Sequence, residues 1–560
     1  MKFSFPFRIT AAAAVLSLCA AFGAMASAQS AAQSTIHPGK TSAPRHEAPP
    51  PQTKAPAKKP DTVITPQQAK DLFASVDQIL RFDSRDSGLP IKHPVKRKLT
   101  TRADVEKYLE SKLKNGKDSK RMMRSAIILK KFGLLPQNFD LGPFMVKLLK
   151  EQIAGYYDSK TKTVYMLNWI APKEQKPVLA HELMHALQDQ YVNLQKWGNK
   201  SLDGISRNVT QDNRHIRVDE DDTARQAVLE GQAMVTYIDY ALAPHGISIA
   251  QNPDFILNHL SDLTDDTKGS PVMASAPRVL RESLIFPYRE GLRFEIELLR
   301  DEGKRGAFAD TLNNPPSSTY QVMDPAAYES HAKVPVLTLP NVHPLLDRNY
   351  RPYDVGVMGE LDARMLLQLT TSDSAANRIA SHWDGGIYFV AQKKHAANKN
   401  STASVALFYL SHWRNRGAAR LFAKNYEAEV LKKYPHSALQ SGATTDDHVY
   451  TTDQGPVLIT ISGRYVFVSE SFPLNTARKL NFMLLGAQHA LAGEETAAYQ
   501  PAYPDLTGAL SDFAQRAGIL RTALPPAGAF SYLQDRRSRG IYTDISVESH
   551  PWSNECNRQK

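Results

Sequence analysis

Two periods govern where this chain puts its apolar residues. From Thr65 onward a spacing of three and four dominates. Thr65 caps a predicted helix with Pro66 in its first turn, and the helix continues over Asp71 to Leu80. A second begins near Thr101 and passes Val105, Tyr108 and Leu109; two more cover about 121–132 and 142–150. Ile153 to Tyr157 and Thr163 to Leu167 read instead as a β-hairpin across the turn-rich Asp158-Ser159-Lys160. A long helix over about 175–194 follows, then helices near 223–241, 255–263 and 287–302.

After about residue 345 the pattern changes. Segments 360–369 and 375–381 read as helices, 387–392 and 403–410 as strands, and 418–433 as a helix. A hairpin over 457–462 and 465–469 turns at Gly463-Arg464, and 476–492 reads as a last helix. The expected fold class is α+β: a mainly helical domain with a small hairpin or sheet over 63–345, then a smaller α+β domain of unassigned role over 346–560.

The first 62 residues belong to neither. Lys2 and Arg8 precede an apolar run from Ile9 to Ala24, and Ala26-Ser27-Ala28 supplies a small-residue cleavage pattern, so 1–28 read as an export signal. Residues 29–62, rich in Pro, Ala, Lys and Ser, read as a disordered linker. The expected location is periplasmic or secreted, with no membrane span after signal removal. Loss of Cys19 with the signal leaves Cys556 alone, which excludes an intramolecular disulfide.

Charge adds little. The net +11 includes +2 from the signal and +3 from residues 29–62, leaving +6 on the rest, and nothing resembles a nucleic-acid-binding module. The basic cluster Lys92 to Lys98 reads as a solvated loop.

The informative pentapeptide is His181-Glu182-Leu183-Met184-His185, an H-E-x-x-H motif inside a predicted helix. Residues four apart share a helix face, so both imidazoles can hold one ion, expected to be zinc. Glu182, about 100° round the helix, can act as general base on a zinc-activated water. Leu179, Leu183 and Leu187 fall on the opposite, apolar face. Gln188 and Tyr191 stand where the extended motif needs Gly and His, so a third ligand must come from elsewhere. Glu230 is favoured, because a carboxylate in the apolar run Ala227 to Val235 is costly without a cation; His215, in a polar segment, is the alternative. Tyr288, or else His215, is the candidate donor to a tetrahedral oxyanion. If Thr163–Leu167 is a free sheet edge, an extended peptide can pair with it.

The segments Ile153 to Asp158, Thr163 to Tyr165, Leu179 to Gln190 and Leu229 to Ala233 together resemble exported gluzincin-like zinc metallopeptidases, particularly the minimal-scaffold (minigluzincin-type) forms. The resemblance covers roughly residues 100–330 and implies a zincin-like domain. It further implies one Zn2+ on His181, His185 and Glu230, Glu182 as base, and a peptide or protein substrate. The Glu-x-x-x-Asp pattern of larger gluzincins is absent, since Met234 takes the Asp position. Two other functions stay open: a zinc hydrolase of non-peptide bonds, and a non-catalytic binding or scaffold protein.

Overall fold

The computed structural model describes residues 14–15, 63–107, 117–152, 155–197, 206–260 and 270–490. Most of the expected signal, all of the linker, Tyr108, Leu109, Ile153, Ala154 and both cysteines lie outside these residues. The architecture is mixed α+β. Among the described residues, no helix is long and apolar enough to cross a membrane.

Helix α1 (Pro66–Ser87) begins at a capping box: Thr65 accepts the Gln68 N–H, and the Gln68 side chain accepts the Thr65 N–H. It ends at Gly88, whose φ of 77° suits glycine. Helices α2 (Lys117–Phe132) and α3 (Leu141–Gln152) follow. A four-stranded sheet orders β1 (Ala14–Val15), β3 (Gly155–Asp158), β4 (Thr163–Leu167) and β2 (Lys96–Thr100). The β3–β4 hairpin is antiparallel, whereas β2 runs parallel to β4 with Lys96 opposite Thr163 and Thr100 opposite Leu167.

This sheet corrects two expectations. Lys96–Thr100 is an edge strand rather than a solvated loop; edge positions tolerate charge, and Arg97 spans out to Asp77 and the Phe73 carbonyl. Thr163–Leu167 is paired on both sides and cannot take a further strand. The position beyond β3 is the one that receives an extended segment, with Ala14 opposite Tyr156 and Val15 opposite Gly155.

Helix α4 (Pro172–Val192) carries the His-Glu-Leu-Met-His run. The expected division into an apolar and a polar face is not how it packs: it is buried continuously from Val178 to Asp189, against α1, the sheet and α6 (Asp221–Leu242). Helix α7 (Arg278–Asp301) starts nine residues before the expected Pro287, which the helix incorporates. Helices α6 and α7 touch backbone to backbone. A methyl on Gly231 would stand 2.3 Å from the Gly291 carbonyl oxygen, and one on Gly291 would stand 2.1 Å from that of Ala227.

The C-terminal part is a seven-stranded antiparallel sheet ordered β5-β6-β7-β11-β10-β9-β8. Its strands are β5 (Tyr350–Val357), β6 (Trp383–Lys393), β7 (Val405–Trp413), β8 (Ala438–Leu439), β9 (Asp447–Thr451), β10 (Val457–Ser462) and β11 (Tyr465–Glu470). The Gly463-Arg464 hairpin falls where expected, whereas β5, β8 and β9 had no predicted counterpart. The two parts share a core. Phe132 of α2 packs edge-on against Tyr388 and Tyr409, at 6.0 and 6.3 Å. Asp219, just before α6, accepts the Val357 N–H of β5 at 2.6 Å, and Glu220 accepts the Ser318 hydroxyl at 2.6 Å.

The glycine contact is testable. Gly291→Ala should destabilise the fold by about 1–3 kcal/mol, because backbone rather than a pliable side chain must move. Urea unfolding curves matching wild type would refute that packing.

Candidate metal centre

Helix periodicity sets the geometry first. His181 and His185 stand one turn apart on α4, and Glu230 faces them from α6. His181 Nε2 lies 3.1 Å from Glu230 Oε2, the two Nε2 atoms are 3.1 Å apart, and His185 Nε2 lies 3.5 Å from the same carboxylate oxygen. A tetrahedral zinc with bonds of about 2.0–2.1 Å would separate its ligand atoms by about 3.3 Å. The three atoms therefore match such a cage, and among the described residues they are the one group of this kind. All three side chains are buried, Glu230 completely. The structure thus brings together a His-His-Glu set able to hold a metal ion.

Glu182 sits beside the cage. Its Oε2 accepts the Tyr157 N–H of β3 at 2.8 Å, while its buried Oε1 has no hydrogen-bond partner. Burial pushes its pKa up to about 8, against the pull of His185 and aided by Glu230. Burial also disfavours the charged His185 ring, but Glu230, Glu182 and the Gln188 hydrogen bond outweigh it and raise the pKa to about 9. Burial holds His181 below its ordinary value. Glu230 is held well below the usual carboxylate range: its burial opposes this, but both histidines overcome it. Without metal, then, the cage balances one buried carboxylate with one imidazolium.

Tyr288 of α7 reaches the site, its ring 6.4 Å from that of His181. Its hydroxyl is hydrogen-bonded to Glu230. Burial and the two nearby carboxylates push its pKa far up, keeping it a neutral donor. The Gly231–Gly291 contact brings α7 close enough for this bond. His215, the alternative ligand and oxyanion donor, is not part of the cage; it lies on α5 (Val209–Ile216) with Nε2 3.4 Å from Asp219.

The polar run after the second histidine has assigned positions. Gln188 Oε1 faces His185 Nδ1 at 2.8 Å. Asp189 accepts from the Tyr157 hydroxyl, Lys162 and the Leu194 N–H, which ties the hairpin to α4. Gln190 accepts the Lys92 and His93 N–H groups and donates to the His93 carbonyl. Gln232, which sequence reasoning passed over, lies buried behind Gln188 at 3.0 Å. Its one sequence signal was an amide in an apolar helical run, two residues after the proposed ligand. His181 Nδ1 has no hydrogen-bond partner.

No family model, curated protein or solved structure matches the chain.

The charge balance predicts how metal binding depends on pH. A ligand histidine must be neutral, and His185 holds its proton up to about pH 9, so metal uptake must release it. Zinc affinity should rise roughly tenfold per pH unit between pH 6 and 8. Zinc titrations in buffers of different ionisation enthalpy would register the proton; an affinity flat across that range would contradict the assignment.

Proposed function

We propose that this chain is an exported zinc metallopeptidase with a zincin-like domain, hydrolysing peptide bonds with Glu182 as general base. The observation that carries the reading is the buried cage of His181, His185 and Glu230 with Glu182 oriented against it. An oxygen-nitrogen set of this kind, with three protein ligands and no thiol, suits a catalytic rather than a structural zinc.

Zinc held there would supply a Lewis acid for the scissile carbonyl and lower the pKa of a water to about 7. The chain's own groups do the rest. The Tyr157 N–H holds one Glu182 oxygen and leaves the other without a partner, available to a reacting water. With a metal's charge in the cage, the Glu182 pKa would fall from its metal-free value of about 8, and the ionised carboxylate would take the water's proton during attack and pass it to the leaving amine. Tyr288 keeps Glu230 in place and stays protonated.

Peptide is favoured as substrate by the sheet. The edge beyond β3 is occupied by Ala14–Val15, inside the expected export signal, so signal removal would open it to another extended backbone, and β3 is the strand whose Tyr157 N–H holds Glu182. A substrate paired there would run antiparallel to β3 and lie beside the base.

The test is a peptide-library digest with zinc-loaded wild type, chelated wild type and Glu182→Gln, each with metal analysis. Glu182→Gln should keep one zinc per chain and lose hydrolysis by about a hundredfold or more. Undiminished cleavage by that variant would falsify the role of Glu182. Zinc-dependent hydrolysis of esters or other bonds but no peptide would favour a non-peptide hydrolase. Bound zinc with no hydrolysis of any kind would favour a scaffold.

A further inference from the structure

Behind His185 lies a line of amides whose direction can be read from its far end. The π-helical turn Arg305–Asp310 follows α7. Its Ala307 and Phe308 carbonyl oxygens lie 2.8 and 3.1 Å from Gln232 Nε2, and the Thr311 hydroxyl lies 2.9 Å from it. The Thr311 hydroxyl donates its own proton back to the Ala307 carbonyl at 2.6 Å. A carbonyl can only accept, so the Gln232 amide nitrogen must face this turn and its Oε1 must face away.

That orientation propagates. Gln232 Oε1 accepts from Gln188 Nε2 at 3.0 Å, and the same nitrogen donates to the Leu229 carbonyl at 3.0 Å. Both Gln188 hydrogens are thereby used, and its Oε1 is left to face His185 Nδ1 at 2.8 Å. An acceptor there requires the proton on Nδ1. His185 then presents the lone pair of Nε2 to the cage, as a metal ligand must. The Leu229 bond also fixes His185 relative to Glu230, the next residue on α6. His181 Nδ1, by contrast, has no acceptor.

We propose that Gln188 and Gln232 are positioning residues that act in series, with the π-helical turn dictating through them the tautomer and orientation of His185. This rests on the metal-centre reading above and adds what sets the metal's affinity. The chain is built of neutral amides, so it orients the ligand without adding a buried charge.

The test measures zinc dissociation constants by chelator competition, together with unfolding curves of the metal-free proteins. Gln188→Met and Gln232→Met should each weaken zinc roughly ten- to hundredfold. The double variant should bind no more weakly than Gln188→Met alone, because Gln232 acts only through Gln188. Gln188→Glu can donate neither to Gln232 Oε1 nor to the Leu229 carbonyl, but either carboxylate oxygen accepts from His185 Nδ1 without an orienting partner, so it should restore most of the affinity lost in Gln188→Met. If Gln232→Met does not fold, Gln232→Glu keeps the side chain's length while setting a carboxylate oxygen against the turn's carbonyls, and should weaken zinc similarly.

Unchanged zinc affinity in the Gln232 variants, additive losses in the double variant, or failure of Gln188→Glu to restore binding would each overturn the series. In those cases wild type still binds zinc and the metal centre stands. If wild type takes up no zinc, the metal centre and the series fall together.

Discussion

A carboxylate sealed between helices is the constraint on which this structure turns. Glu230 is fully buried on α6, where an uncompensated charge would cost several kcal/mol. The chain compensates it with three side chains from two helices. His181 and His185 approach from α4, and Tyr288 approaches from α7. Neither approach is possible unless the helices lie close. The glycine pair at 231 and 291 lets α6 and α7 meet at their backbones, and the continuous burial of α4 holds the other side. Core packing and site electrostatics are here one requirement: loosening the helix contact would strand the charge.

The remaining elements hold those three helices in register. The hairpin places the Tyr157 N–H on Glu182, and Asp189 locks that hairpin through the Tyr157 hydroxyl and Lys162. The larger sheet contributes from a distance, since Val357 of β5 binds Asp219 at the entry to α6. The C-terminal region therefore buttresses the helix carrying Glu230, whatever else it does.

Local periodicity made much of this legible in advance. His181, Glu182 and His185 follow from spacing on one helix, and Glu230 stood out as a charge in an apolar run. Features made by non-local contact did not show. Lys96–Thr100 reads as a basic loop until β4, more than sixty residues later, pairs with it. β5 is masked by Pro352 and the register shift between Pro352 and Asp354. The site of Tyr288 was legible, but its partner was not, because that depends on a helix crossing. Gln188 carries no individual signal and Gln232 only that of an amide in an apolar run; an amide's role becomes legible only when its neighbours are known to accept or donate.

The burial of the cage bears on time as well as on equilibrium. An ion held by side chains with so little solvent contact would exchange slowly with a chelator. Its escape would require the packing of α4 on α6 to loosen locally, so the residence time would follow the rate of that loosening as well as the dissociation constant. Metal would then be acquired most readily while the helices are still assembling, and the folded chain would guard a bound ion even in surroundings that offer strong competitors.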